Sequence, residues 1–207
     1  MAVALLVLYG IFIALTVGVR AAIQLRRTGS PGVNRFAGEP GQVEWVAGIT
    51  FIIGSCAAPL GPILDLLGVL EPIPLLDSSA VNVFGLVLGV VGTLLVFLAQ
   101  LAMGDSWRIG VETEGRPDLV TTGVFGIVRN PIFAATIPTM LGFALMVPNV
   151  FALVDLVVIV TALELQVRVV EEPYLLREHG GPYRSYVARV GRFFPGVGLI
   201  KAPAVDA

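Results

Sequence analysis

Arg129, Asn130 and Pro131 stand together at the head of an apolar run, with Gly123 and Gly126 just before them. Asn is a good helix N-cap and Pro is favoured at the first helical position, so a helix is expected to start here. Its exposed N–H groups beside an arginine would also make an anion site. A second polar pair, Glu171-Glu172, follows two apolar runs later. On a continued helix, Glu164, Arg168, Glu171, Glu172 and Leu175 fall near one face. One reading is a plain ladder, Glu164 to Arg168 and Arg168 to Glu172. The other has the two patches meet at one membrane face and hold a charged cofactor, because ionisable groups at membrane depth usually have a partner or a task. Trp107-Arg108 is the third candidate. Either it anchors the chain at the interface, or Arg108 holds an anionic group on a substrate.

Other chemistry finds no support. His179 is the only histidine and Cys56 the only cysteine, so no metal-ligand spacing exists and no metal is expected. Cys56 is expected to be buried in packing. No nucleophile elbow, phosphate loop or dinucleotide fingerprint is present, and nothing reads as a nucleic-acid surface.

The elements that must position these residues follow from composition. The chain has 207 residues, 56% hydrophobic and only 14% charged. Its apolar residues cluster in runs of the length a bilayer requires. The expected fold is all-α: a polytopic membrane protein with five spans at about 3–19, 43–64, 81–103, 131–147 and 150–167, forming one domain over 1–207. The first run carries its arginines after the apolar stretch, as a retained span does and a signal peptide does not. Pro59, Gly61 and Pro62 should kink or end the second span. Ser78 or Ser79 is a candidate cap for the third. Gly85, Gly89 and Gly92 form a small-residue stripe that lets helices approach closely, or leaves a slot for an apolar substrate tail. Only Pro148-Asn149 separates the last two spans, which predicts a tight hairpin. A helical extension and an interfacial tail over 168–207 follow, with Tyr183, Tyr186, Arg189, Phe193 and Phe194 as an amphipathic segment. Residues 201–207 read as disordered.

Positive charge then sets orientation. Arg20, Arg26, Arg27 and Arg35 lie in the first loop, Arg108, Arg116 and Arg129 in the third, and six more in the tail, ending at Lys201. With five spans all of them fall on one side, which the positive-inside bias makes cytoplasmic. The N-terminus is then outside. The near-exclusive use of arginine suggests a GC-rich bacterial genome, hence a bacterial plasma membrane.

The segment GVFGIVRNPIF, a short apolar hairpin, and then VEEPYLLREHGGPYRSYVARVGRFFP resemble the isoprenylcysteine carboxyl methyltransferase and phospholipid methyltransferase group. Gly123, Phe125, Arg129, Pro131, Glu171, Glu172, Gly180, Tyr183, Tyr186 and Pro195 match or nearly match its pattern. Asn130 stands where that pattern has His, and Phe125 and Phe133 where it has Tyr. The resemblance implies a methyltransferase that binds S-adenosylmethionine at the cytoplasmic side and takes a lipophilic acceptor from the bilayer. It implies a cofactor site on Val120, Gly123, Phe125, Arg129, Asn130, Pro131, Phe133, Glu171 and Glu172, with Arg129 and Glu171 catalytic. Trp107 and Arg108 would meet the acceptor. A glutamate suits the cofactor's cationic groups, and Arg129 with the helix start suits its carboxylate. An NADPH-dependent sterol-type reductase and a non-catalytic membrane scaffold or sensor are the alternatives.

Overall fold

The computed structural model describes residues 1–33, 38–110 and 118–200, and among them every regular element is helical. Arg35, Arg116, Lys201 and the expected disorder over 201–207 lie outside the described residues. Five long helices carry the fold. They are α1 (Ala2–Thr28), α2 (Val43–Leu66), α3 (Ser79–Ala102), α4 (Pro131–Met146) and α5 (Val150–His179). A short α6 (Gly181–Val187) follows.

The first helix corrects the expectation that the span ends before Arg20. A six-residue π-helical stretch, Ala14–Val19, joins two α-helical parts, and the helix runs on to Gly29, whose positive φ ends it. Arg20 does not face a loop; it is buried inside the bundle at 1% exposure. An arginine lowers the hydropathy of a run without breaking its backbone, so the end of an apolar run is not the end of a helix. In α2 the helical segments Val43–Ala57 and Leu60–Leu66 meet at Pro59, as its missing N–H requires. Ser78 caps α3 by accepting from the Val81 N–H.

The glycine stripe is a packing surface. A Cβ on Gly85 would sit 2.7 Å from the Gly142 carbonyl oxygen, and one on Gly92 would strike Thr139. Facing them, a Cβ on Gly142 would sit 2.5 Å from the Gly89 nitrogen. The order 85, 89, 92 against 146, 142, 139 makes α3 and α4 antiparallel. The helix α4 therefore fills the stripe, and no slot for a substrate tail remains there. The two sides of the Val147–Asn149 turn have different main partners: α4 lies along α3, and α5 lies on α2. Asn149 is fully buried in that turn. It accepts from the Ala152 N–H at 2.9 Å and donates to the Gly61 carbonyl at 3.0 Å.

Among the described residues four helices, α1, α2, α3 and α5, are long and apolar enough to cross a bilayer. No more than 28% of any of their apolar windows is buried, so their outer faces are greasy. Val7, Val87, Leu94, Leu98 and Val157 are each more than half exposed, an apolar surface of the kind a bilayer covers. The chain has the make-up of a membrane protein. The same fact corrects Cys56, which is exposed. In a bilayer the outside is as apolar as the core, so an apolar neighbourhood does not predict burial. The last turns of α1, α3 and α5 and the first of α4 share one end of the bundle. The turn at Asn149 and the break in α2 lie at the other.

Candidate functional site

A 3₁₀ turn, Gly123–Gly126, leads the chain toward α4, and its Gly123 has a φ of 61°. The next residues meet the C-terminal segment edge to edge. Val128 pairs in parallel with Gly191. The Arg129 N–H donates to Gly191 at 2.8 Å, and the Asn130 N–H donates to Arg192 at 3.1 Å. Gly191 has no room for a side chain, because its Cβ would strike the Phe194 carbonyl. The Asn130 side chain also turns to Arg192, donating to its carbonyl at 3.3 Å. It therefore does not cap α4, contrary to expectation, although Pro131 does open the helix.

The Arg129 side chain is 2% exposed and is surrounded by acceptors. Its Nη2 donates to Glu172 Oε1 at 2.8 Å and to the Gly198 carbonyl at 2.9 Å. Its Nη1 donates to the carbonyls of Val187 and Val190. Arg192 approaches Glu172 as a fork, Nε to Oε1 at 2.8 Å and Nη2 to Oε2 at 2.7 Å, the geometry of a strong charge-assisted pair. Glu172 in turn holds the Arg192 guanidinium above its ordinary pKa. Two guanidinium charges thus face one carboxylate, which leaves one positive charge in excess. Arg129 Nε is buried with no protein partner.

The ladder expected on α5 is half present. Arg168 pairs with Glu164, but Glu172 turns to Arg129 and Arg192 instead. The cause is a π-helical stretch over Gln166–Glu171. The wider turn shifts the phase of everything after it, so the spacing of four no longer aligns Arg168 with Glu172. The neighbouring Glu171 is half-buried, accepts a hydrogen bond from the Gln166 side chain, and feels the charge of Arg108. Among the described residues no cation lies at ion-pair distance from it. Arg108 is anchored by its own Nη1, donating to the Ser106 carbonyl at 3.0 Å, and its Cζ lies 5.7 Å from the Tyr174 ring centre.

The tail is less superficial than its composition suggests. Tyr183, Tyr186 and Val187 form a small core with Leu119, Leu175 and Val190 packed on it. Burial pushes the Tyr186 phenol up to about 12, so it stays protonated and donates to the Phe125 carbonyl at 2.5 Å. Phe125 is itself buried, and Val120 is half-buried beside Leu119. Phe133 packs against the apolar core of the bundle. Trp107 is 2% exposed, with the Arg20 guanidinium 4.5 Å from its ring centre. Its ring is therefore internal packing, and only Arg108 of that pair presents polar atoms beside α5. Sequence reasoning missed Arg192 and Arg20 as parts of the design.

Residues 81–181, just under half the chain, match the phospholipid methyltransferase family model. A solved structure of the eukaryotic intramembrane Ras methyltransferase, isoprenylcysteine carboxyl methyltransferase, without a monobody, matches with a TM-score of 0.58 at 18% identity. The match covers 96% of this chain and 70% of that one. The chain is like these membrane methyltransferases. The structural likeness is one of fold; the family match is one of sequence, and it holds Arg108, Arg129, Glu171 and Glu172. No curated protein matches.

Proposed function

We propose that this chain transfers a methyl group from S-adenosylmethionine to a lipophilic acceptor at the cytoplasmic membrane face. The observation that carries the reading is the contrast between two adjacent glutamates. Glu172 is neutralised by two arginines, while Glu171, one residue away, has no ion-pair partner among the described residues. A ligand with both cationic groups and a carboxylate fits that contrast. Glu171 would face the cation. Arg129, through its buried Nε, and the start of α4 at Asn130-Pro131 would face the carboxylate. Val120, Gly123, Phe125 and Phe133 would contribute the surrounding surface, and Glu172 would chiefly hold the two arginines. When bound, the cofactor supplies an electrophilic methyl group. The chain's own contribution is alignment, exclusion of water and a fixed field. Arg108 would receive the anionic head of the acceptor, with Trp107 as its packed support. The acceptor class is an isoprenylcysteine-type carboxylate, a lipid, or a small thiol or amine. One domain over 1–207 in a bacterial plasma membrane, with the tail inside, completes the reading.

Calorimetry on the detergent-purified chain tests it. S-adenosylhomocysteine should bind and NADPH should not. Glu171→Gln should weaken that binding at least tenfold, about 1.4 kcal/mol, with an unchanged melting temperature. Binding of NADPH alone would favour a reductase, and binding of neither a scaffold.

A further inference from the structure

Arg20 belongs neither to the segment that matches the family model nor to the Arg129 cluster. A charge buried in an apolar helix is expensive and calls for a reason. Among the described residues its side chain contacts the end of α3 and the loop just beyond it. Arg20 Nε donates to the Gln100 carbonyl at 3.3 Å and Nη2 to the Gly104 carbonyl, and its plane lies over Trp107. One turn on, Gln24 Nε2 donates to the Asp105 carbonyl at 2.7 Å. Past the helix, Gly32 accepts from the Ile109 N–H at 2.7 Å, and Val33 pairs with Ile109. Gly32 must be small, since its Cβ would lie 3.1 Å from the Trp107 carbonyl oxygen and 3.2 Å from its ring. Arg20 Nη1, Gln24 Oε1 and Gln100 Oε1 are buried without protein partners. A contact set optimised for stability alone would leave fewer such groups unmet.

These contacts converge on residues 104–109, the segment that carries Arg108. Its two neighbours, Trp107 and Ile109, are held by the end of α1 and by Gly32 just past it, while its own guanidinium lies 5.7 Å from the Tyr174 ring centre on α5. We propose that Arg20 is a positioning residue: through Gly104 and Trp107 it fixes the loop that presents Arg108 to α5 at Tyr174. The placement stands on the contacts; its catalytic consequence rests on the methyltransferase reading.

Two arms test it on the full chain. In a Cys56→Ser background, Arg108→Cys and Tyr174→Cys report the loop's distance from α5 through a short bismaleimide. Arg20→Met should slow that cross-linking at least fivefold, and an unchanged rate in folded protein overturns the proposal. If Arg20→Met does not fold, Arg20→Lys decides. It keeps the charge but loses the planar fork and the stacked face, so cross-linking should slow at least twofold, and an equal rate overturns the proposal. In the second arm, N-acetyl-S-farnesylcysteine and phosphatidylethanolamine vesicles serve as acceptors. Arg20→Met should raise the acceptor KM at least tenfold and leave the S-adenosylhomocysteine Kd within twofold. The double variant with Arg108→Ala should be no worse than Arg108→Ala alone, because one residue acts through the other; additive losses overturn the proposal. A wild-type chain that binds no S-adenosylhomocysteine defeats the methyltransferase reading instead, and cross-linking still decides Arg20.

Discussion

Arg129 is tied to four acceptors in three places: Glu172, the Val187 and Val190 carbonyls, and Gly198. It therefore acts as the clasp that closes the C-terminal segment over the start of α4. Removing Arg129 leaves Glu172 its fork to Arg192 but takes the donor from three carbonyls, and a buried acceptor left unsatisfied costs about 1–3 kcal/mol. Arg129→Ala should lower stability by that order in thermal unfolding, and S-adenosylhomocysteine affinity should fall with it. Arg129→Lys should rescue little, since one ammonium cannot reach acceptors that a planar fork spans. Glu171→Gln should show the opposite pattern, lost ligand affinity in a stable protein. A variant at Arg129 with full stability would show that the clasp contributes nothing. The residues of the cluster were legible as single candidates, because Arg129, Glu171 and Glu172 are polar in apolar company. Their partners were not legible: Arg129 and Glu172 are 43 positions apart, and no local rule pairs them.

Two helices pressed together depend on having nothing between them. Gly142 faces the backbone of α3, with the Gly85 oxygen 2.7 Å from where a Cβ would stand. Backbone cannot rotate aside as a long side chain can. Gly142→Ala should destabilise by about 1–3 kcal/mol, the usual range for overpacking. Gly10 in α1 meets nothing within 4 Å. Gly10→Ala should stay within about 0.5 kcal/mol of wild type, as open surface sites do. Melting both variants in the same detergent checks the pair, and equal shifts would deny that α3 and α4 touch through these glycines. The stripe on α3 was visible in the sequence. Which helix fills it was not, since any neighbour with a small residue would serve.

Five spans and four spans differ in a measurable way, because an odd number puts the termini on opposite sides. The element that decides between them is α4, whose 16 residues reach only about 24 Å against a hydrocarbon core of about 30 Å. Its antiparallel run along α3, from Met146 beside Gly85 to Thr139 beside Gly92, argues that it crosses. The described arginines of the α3–α4 loop and the tail gather at the end of the bundle that holds the Arg129 cluster, which argues for the cytoplasmic side. A green fluorescent reporter after Ala207 should therefore glow, and alkaline phosphatase there should be inactive. At the N-terminus the phosphatase should be active. Termini on the same side would leave α4 as a helix that enters the membrane without crossing.

The membrane character of the chain, the helices, the break at Pro59, the cap at Ser78 and the family resemblance were all set by local composition and spacing. These need only a residue and its near neighbours, so a sequence contains them. The end of α1, the exposure of Cys56, the escape of Glu172 from Arg168 and the burial of Trp107 and Arg20 depended on what the folded chain brings alongside. Hydropathy measures preference for an apolar medium, and lipid and protein interior satisfy it equally, so it cannot separate outer face from core. Charge pairing depends on distance in space, and a π-helical turn in α5 is enough to hand Glu172 from one arginine to two others.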